Sequence, residues 1–334
     1  MTKYRNQEEK RQLCKKLGLG VAILVIGLGI IIGVLRVADG KSVKTQKESQ
    51  DSDCIVYDGK TYVAKGNLET YLFAGIDAEG KVEPIISYDG TGQCDVLMVL
   101  VRDRDNDECK TVTIDRNTIT PIRSLEDDGT YISTDDFQIS LAHAMSLDHT
   151  IRAENTVDAV STLLGDVKID AYAMVNMSAI QIANDLVGGI TVTIEDDFTG
   201  VEDSLKMGET ITLQGEQAEH YIRGRKYMKD DDSNENRMAR QECYKEGFKK
   251  AFQAKCSEDK SFPLDFYHAL EDYMTTTISA KKFSRLAQLL ADDKEDESLT
   301  IEGSYGLDDS EWQTFTPDQD SLQKVILELF YEEK

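Results

Sequence analysis

The stretch "CDVLMVLVRD", from Cys94 to Asp103, decides the fold class of this 334-residue chain. Its centre is a continuous apolar run from Val96 to Val101, which is typical of a central strand buried on both faces. An apolar strand, "TYLFAGID" at residues 70–77, precedes it, and another, "CKTVTIDRN" at residues 109–117, follows the polar turn "RDNDE". These three segments predict the middle of a β-sheet.

Helical patterns follow these strands. The segments at residues 153–165 and 176–189 are predicted helices that end at glycine, a common helix stop. Further elements are predicted as helices at residues 215–223, 237–254, 264–277, 279–292 and 320–333, strands at 190–194 and 298–304, and a hairpin around Asp58-Gly59. Strands that alternate with helices predict an α/β fold in which helices cover both faces of the sheet.

The apolar run "LGLGVAILVIGLGIIIGVL", Leu17 to Leu35, contains no charged residue. At about 1.5 Å per residue, a helix of this length crosses the hydrocarbon core of a bilayer. The run is longer than the apolar region of a secretory signal, and "RVADG" after it is a poor cleavage site, so a retained transmembrane helix is predicted. The basic residues before it are Lys3, Arg5, Lys10, Arg11, Lys15 and Lys16.

This basic flank predicts a cytoplasmic N-terminus and an exported C-terminal part. The chain is thus divided into a cytoplasmic tail (1–16), a transmembrane helix (17–35), an extracellular stalk (36–53) and one extracellular domain (54–334). The net charge is −24, and this acidity disfavours binding to nucleic acid or anionic lipid through bulk charge. The sequence also lacks the GxxxxGK[ST], GxSxG and HExxH motifs of P-loop nucleotide-binding proteins, α/β-hydrolases and zinc proteases.

The six cysteines show no spacing typical of a zinc site. Cys14 falls on the cytoplasmic side, and the five others cannot all pair with one another. Small buried thiols are the preferred interpretation for these five, and a bridge between Cys243 and Cys256 is left open.

The stretch "HYIRGRKYMKDDDSNENRMARQ", residues 220–241, concentrates arginine in an acidic chain. Arg237 and Gln241 are four residues apart and share a helix face, whereas Arg240 is expected to be solvated. Guanidinium groups held at fixed spacing suit phosphate oxygens, because each donates two parallel hydrogen bonds and keeps its charge. The alternative is ion pairing with the neighbouring aspartates at residues 230–232. An EF-hand calcium loop is rejected, because Glu235 and Gln241 occupy the positions of its glycine and glutamate.

Strand ends supply further polar candidates. Asp77 ends one predicted strand and Asp95 begins the next, and carboxylates at such places hold Mg²⁺ together with substrate phosphates. Arg116 stands at the end of the third strand, in "TIDRNT".

Taken in order, "YLFAGID", "GQCDVLMVLV", "VTIDRNT", "ISLAHAM", "LVGGITV" and "AEHYIRGRK…NRMARQ" resemble the motifs of the LytR–CpsA–Psr family. The single anchor and the closing "EWQTFTPDQDSLQKVILELF" fit as well. The resemblance implies a three-layered α/β/α sandwich around a mixed central sheet, outside the cell membrane of a Gram-positive bacterium. It also implies a Mg²⁺-dependent phosphotransferase for cell wall biogenesis. Such an enzyme moves a glycopolymer from its polyprenyl-pyrophosphate carrier to peptidoglycan and forms a phosphodiester.

The resemblance also implies residue roles. Asp77 and Asp95 match the family's metal-binding pair, and Arg116 and Asp77 are the catalytic candidates. The residues that match its pyrophosphate-binding set are Arg116, Arg223, Arg225, Arg237 and Gln241.

Several positions depart from the family pattern. Gln93, Asn117 and Gln138 stand where an arginine, an aspartate and a lysine are expected, and Asn234 replaces another aspartate. These departures favour an alternative function, that of a non-catalytic, membrane-anchored envelope protein that binds polyprenyl phosphate or wall polymer. A plain sugar-binding wall module is disfavoured, because Trp312 is the one tryptophan in the chain.

Overall fold

A computed structural model describes residues 54–88, 90–224, 233–291, 298–308 and 310–334. The predicted cytoplasmic tail, transmembrane helix and stalk lie outside these residues, as do Arg225 and the side chain of Arg237. Among the residues described, no helix has both the length and the hydrophobicity required to cross a bilayer.

The described strands are β1 (Cys54–Tyr57), β2 (Lys60–Ala64), β3 (Leu68–Ile76), β4 (Cys94–Asp103), β5 (Cys109–Ile114), β6 (Ile119–Leu125), β7 (Tyr131–Gln138), β8 (Ala171–Asn176), β9 (Thr191–Thr193), β10 (Thr210–Thr212), β11 (Met274–Thr276), β12 (Ser298–Thr300), β13 (Gly303–Leu307), β14 (Gln313–Pro317) and β15 (Tyr331–Glu333). The described α-helices are α1 (His149–Leu163), α2 (Ala179–Leu186), α3 (Glu216–Arg223), α4 (Ser233–Glu258), α5 (Phe262–Leu270), α6 (Ala280–Ala291) and α7 (Gln319–Phe330). Short 3₁₀ helices span Ile139–Ala144 and Glu271–Tyr273.

The central sheet has six strands in the order β11–β8–β3–β4–β5–β12. The pairs β8/β3 and β5/β12 are parallel, whereas β11/β8, β3/β4 and β4/β5 are antiparallel. The sheet is therefore mixed, and the α/β class predicted from the sequence is confirmed. The strand β4 coincides residue for residue with the apolar stretch from which its central position was predicted.

Apolar side chains cover both faces of this sheet. Along β3, Tyr71 and Phe73 pack with residues of α2 to α6, whereas Leu72 and Ala74 pack with residues of α1 and α7. Each position of a strand between two helical layers faces a core, which explains the unbroken apolar run of β4. The apolar positions of β4 are 0–3 % exposed, so they form packed core.

Smaller sheets lie beside the central one. The predicted hairpin is present as β1–β2, with positive φ at Asp58 and Gly59 as a two-residue type I′ turn requires. The helix predicted at residues 320–333 ends at Phe330, because the last residues form β15 and pair with β2. The hairpins β6–β7 and β13–β14 and the pair β9–β10 complete the described strands.

Two strands of the central sheet were not predicted. The strand β8 pairs with β3 in the middle of the sheet, and β11 pairs with β8 at its edge. The helix predicted at residues 264–277 was wrong in its last part, since it ends at Leu270 and a threonine-rich segment continues as β11. Threonine is β-branched and favours strands. The segment becomes a strand because it can pair with β8 at the edge of the sheet.

All five described cysteines are free. The expectation of buried thiols holds for Cys94 and Cys256 but is wrong for Cys54 and Cys243, which are exposed. Cys54 begins β1 and Cys243 lies on an exposed position of α4.

Candidate active site

Three strand ends meet at one edge of the central sheet. Asp77 follows the end of β3, Asp95 is the second residue of β4, and Arg116 follows the end of β5. Because β4 is antiparallel to both neighbours, its first residues lie beside the last residues of β3 and β5. The order of the strands therefore brings these three side chains together.

The backbone fixes Asp77 beside Gln93. The Asp77 amide donates to the Gln93 carbonyl at 2.9 Å, and the Gly92 amide donates to the Asp77 carbonyl at 2.9 Å. Gly92 has a φ of +88°, and a Cβ added there would lie 2.4 Å from the guanidinium of Arg152. Glycine is thus required both by the backbone conformation and by the close approach of Arg152.

Arg116 is held by two neighbours in the site. Its Nη1 donates to Asp95 Oδ1, and its Nη2 donates to Gln93 Oε1 at 2.8 Å. The residues around it form a tight turn, in which the Asp115 side chain accepts from the Asn117 amide at 2.8 Å. This turn fixes the backbone that carries Arg116, and the two acceptors fix its guanidinium.

Arg223 reaches the same site from the other direction. It is the last residue of α3, and its Nη1 donates to Glu219 Oε1 one turn earlier, in an i,i+4 pair. Its Nη2 donates to Asp77 Oδ1 at 3.3 Å. The described site thus gathers four of the residues selected from the sequence: Asp77, Asp95, Arg116 and Arg223.

Electrostatics link these four residues. Burial raises the pKa of the Asp95 carboxyl, and the charge of Asp77 adds to this rise, whereas Arg116 and Arg223 oppose it. The net direction is upward, so the two arginines do not fully compensate the burial of this carboxylate. An additional cation at the site would favour the ionised form of Asp95.

The pair Asp77 and Asp95 fits Mg²⁺. This ion binds through one or two carboxylates and completes its six ligands with phosphate oxygens and water. Among the described residues no group of three or more His, Cys, Asp or Glu side chains is placed to hold a metal ion. The carboxylate pair therefore fits an ion that is shared with a phosphate-bearing ligand.

Arg240 corrects an expectation from the sequence, because the prediction that it is solvated was wrong. It is 3 % exposed, pairs with Asp196, and donates to the carbonyls of Tyr221 and Gly224, both at 2.8 Å. The last carbonyls of a helix have no hydrogen-bond donors within that helix. Because α4 packs against the end of α3, Arg240 can donate to these carbonyls. Arg240 therefore holds the helix end that presents Arg223.

Gln241 acts at the same helix end. It is buried, and its Nε2 donates to the Ile222 carbonyl at 3.2 Å, while its Oε1 has no hydrogen-bond partner among the described residues. The structure thus places Gln241 behind Arg223 and engages its amide nitrogen with the protein.

Three of the positions that depart from the family pattern, Gln93, Asn117 and Gln138, also have partners. Gln93 accepts from Arg116, as described above. The Gln138 Nε2 donates to the Gln313 carbonyl at 2.6 Å and makes a longer contact of 3.4 Å to Asn117 Oδ1. Sequence reasoning placed Gln93 in the site only as a departure from the family pattern, and it gave no site role to Glu219 or Arg240. The i,i+4 spacing of Glu219 and Arg223 was a usable signal.

The fold and the site define an α/β protein in which paired carboxylates and arginines meet at one edge of a mixed sheet. The model of the LytR_cpsA_psr family matches residues 34–330, and the chain belongs to this family. The resemblance stated from the motifs is thereby confirmed.

Two relatives carry the name polyisoprenyl-teichoic acid–peptidoglycan teichoic acid transferase TagU. The one from Bacillus cereus (strain AH820) is 29 % identical over 220 residues, which are 65 % of this chain and 64 % of that protein. The one from Halalkalibacterium halodurans is 29 % identical over 170 residues, 51 % of this chain and 49 % of that protein. The matched segments thus span about half to two thirds of these relatives.

Among solved structures, TagV of Bacillus subtilis superposes with a TM-score of 0.55 at 23 % identity. The match covers 79 % of this chain and 96 % of the TagV chain. At this level of identity the comparison shows the fold.

Proposed function

We propose that this protein is a membrane-anchored transferase that moves a glycopolymer from a polyprenyl-pyrophosphate carrier to peptidoglycan. The observation that carries the proposal is the convergence of Asp77, Asp95, Arg116 and Arg223 at one sheet edge. Membership of the family supports it, as does the name of the TagU relatives, polyisoprenyl-teichoic acid–peptidoglycan teichoic acid transferase.

The arginines would bind the pyrophosphate of the donor. A net charge of −24 repels such an anion at long range, so attraction must be local. Arg116 is ion-paired with Asp95, and Arg223 is ion-paired with Asp77. On binding, the donor phosphates would take the place of the carboxylates at the two arginines, and a bound cation would take the place of the arginines at the two carboxylates. Arg225, Arg237 and Gln241 would complete the pyrophosphate-binding set, and Gln241 would also hold the last turn of α3 through its Nε2.

Asp77 and Asp95 would hold Mg²⁺, which supplies positive charge against the phosphate oxygens of the donor. A peptidoglycan sugar hydroxyl would attack phosphorus, forming a new P–O bond while the bond to the carrier breaks and polyprenyl phosphate leaves. Asp77 is the better placed carboxylate to accept the hydroxyl proton, because its side chain is 46 % exposed, against 24 % for Asp95. Arg116 would stabilise the charge on the transferred phosphoryl group.

The location of the domain follows from the same proposal. The apolar run at residues 17–35 would span the membrane once, with the N-terminus in the cytoplasm, and keep the domain beside the lipid-linked donor.

A non-catalytic binding protein is the second candidate. The observation that favours it is that Gln93, Asn117 and Gln138, which depart from the family pattern, are all engaged with protein atoms around Arg116. These contacts would hold Arg116 in place for a phosphate-bearing lipid without supplying a group that takes part in transfer.

The test uses the full chain in lipid nanodiscs, a polyprenyl-pyrophosphate-linked glycan, peptidoglycan and Mg²⁺, and measures the release of polyprenyl phosphate. We expect release by the wild type and a loss of at least about 100-fold in Asp95→Asn and Arg116→Ala, since each removes charge stabilisation from the transition state. Arg104→Ala, which removes an exposed arginine elsewhere, should retain activity. Tight binding of the donor without release would identify the non-catalytic protein instead.

A further inference from the structure

The tip of the β13–β14 hairpin exposes apolar side chains. Leu307 is 68 % exposed and Trp312 is 66 % exposed. The two residues flank the short connection between the strands, and Trp312 is the one tryptophan in the sequence. An exposed indole at a hairpin tip is a common element of binding surfaces, because tryptophan offers a large rigid face.

The tip is ordered by its own hydrogen bonds. The Asp308 carboxylate accepts from the amides of Ser310 and Trp312, both at 2.9 Å. The Asp308 amide donates to the Trp312 carbonyl at 3.0 Å. These bonds restrain the backbone at Trp312 itself, which lowers the entropic cost of binding at the indole.

The hairpin is attached directly to the turn that carries Arg116. The Tyr305 hydroxyl donates to the Asp115 carboxylate on one side of Arg116. The Phe315 amide donates to the Asn117 carbonyl at 2.8 Å on the other side. Trp312 lies three residues before Phe315, a separation of about 10 Å along an extended strand, which two or three sugar rings can bridge.

The chemistry of the tip favours a neutral saccharide. An aromatic face binds the C–H face of a sugar ring, and the exposed carboxylates of Asp308 and Glu311 accept hydrogen bonds from sugar hydroxyls. The same carboxylates repel a polyanionic donor polymer and anionic lipid headgroups, and carboxylates resist transfer into a membrane interface. An uncharged glycan strand is thus the ligand that this surface fits.

We propose that the β13–β14 tip, centred on Trp312, binds the glycan strand of the peptidoglycan acceptor and directs its hydroxyl toward Arg116 and Asp77. This inference rests on the transferase function proposed above. The strand would extend along the hairpin from the tip to the sheet edge, so the acceptor and the lipid-linked donor would approach the site over different surfaces.

Because Trp312 is the one tryptophan in the sequence, its emission permits a direct test with the full chain in phosphatidylcholine vesicles, which contain no other protein. We expect a saturable blue shift of Trp312 emission when neutral β-1,4-linked N-acetylglucosamine oligosaccharides are added, and little shift with poly(glycerol phosphate). The absence of a shift with the oligosaccharide overturns the inference. Strong quenching of Trp312 by brominated lipid in the vesicles also overturns it, because the tip would then contact the membrane.

Kinetics supply the second measurement. Trp312→Ala should raise the acceptor KM about three- to tenfold, the size of one aromatic contact, whereas Trp312→Phe should recover most of the loss. Met207→Ala, at a side chain that is 69 % exposed, should leave the acceptor KM unchanged. An unchanged KM in Trp312→Ala overturns the inference. If the wild type and Met207→Ala both transfer nothing, the proposed function fails, and the fluorescence titration still decides whether the tip binds glycan.

Discussion

At the residue scale, the two described arginines of the site, Arg116 and Arg223, are each paired with a carboxylate. Arg116 is bound to Asp95 and Arg223 to Asp77, so the charges of the free site are largely balanced within the protein. A bound pyrophosphate can take the place of the carboxylates at the arginines, and its cation can take the place of the arginines at the carboxylates. No charge is then left unpaired. The site therefore exchanges partners on binding, which makes affinity sensitive to how each guanidinium is held.

The first prediction concerns pH. Burial raises the pKa of Asp95 above its ordinary value, so this carboxyl is protonated as the pH falls through that raised pKa, and Mg²⁺ binding is lost on the acid side. Arg116→Ala removes an interaction that lowers the pKa of Asp95, and it should move the acid limb of Mg²⁺ binding to higher pH. Calorimetric titration of Mg²⁺ against pH measures this, and a shift to lower pH would contradict the assignment.

The second prediction concerns Gln93. Its Oε1 accepts from Arg116 at 2.8 Å, so Gln93→Ala frees one side of the guanidinium and should raise the donor KM about tenfold. Gln93→Glu adds a carboxylate that competes with phosphate for Arg116, and it should weaken donor binding further. Both variants are tested by steady-state kinetics, with Arg104→Ala as the control. Equal donor KM values in all three variants would exclude a role for Gln93 in positioning Arg116.

At the element scale, the junction of α3 and α4 decides where Arg223 points. Arg240 on α4 supplies donors to two carbonyls at the end of α3 and pairs with Asp196 in the interior. The two arginines come from one stretch of sequence, yet Arg240 is a buried structural residue and Arg223 is a partly exposed site residue.

The third prediction follows from this contrast. Arg240→Ala removes an ion-pair partner of the buried Asp196 and the donor to two helix-end carbonyls, so it should lower the free energy of unfolding by about 3–5 kcal/mol. Arg223→Ala breaks only ion pairs of a partly exposed side chain, so it should change the free energy of unfolding by less than about 1 kcal/mol. Urea denaturation of both variants measures the difference. Equal destabilisation would mean that Arg240 does not hold the helix end.

At the scale of the whole molecule, the negative net charge of the chain repels the anionic ligand that the arginines of the site attract. A chain with a net charge of −24 repels pyrophosphate at distances comparable to the Debye length, about 10 Å at 0.1 M salt, whereas the arginines attract it on contact.

The fourth prediction is therefore kinetic. Added salt should raise the association rate of inorganic pyrophosphate by screening the long-range repulsion, and it should raise the dissociation rate by weakening the contacts with Arg116 and Arg223. Stopped-flow measurements at constant Mg²⁺ separate the two rates. A slower association at higher salt would show that a local positive potential dominates the approach.

The sequence by itself determined the α/β class and the meeting of Asp77, Asp95 and Arg116. Both depend on patterns that are local in the chain, namely an apolar run long enough for a buried strand and three consecutive strands joined as neighbours. The strand β8 escaped prediction because "AYAMVN" is short, and a short apolar run does not reveal its place in a sheet.

Only the tertiary structure decided which partner each polar side chain has. Arg223 meets Asp77 across 146 positions of sequence, and Tyr305 meets Asp115 across 190. Arg240 is buried because α4 packs on the end of α3, and the β13–β14 hairpin lies beside the site because Tyr305 and Phe315 bond to the turn around Arg116. Helix and strand periodicity reports which face of an element is apolar, whereas the partner of a charged or aromatic group depends on how distant elements pack.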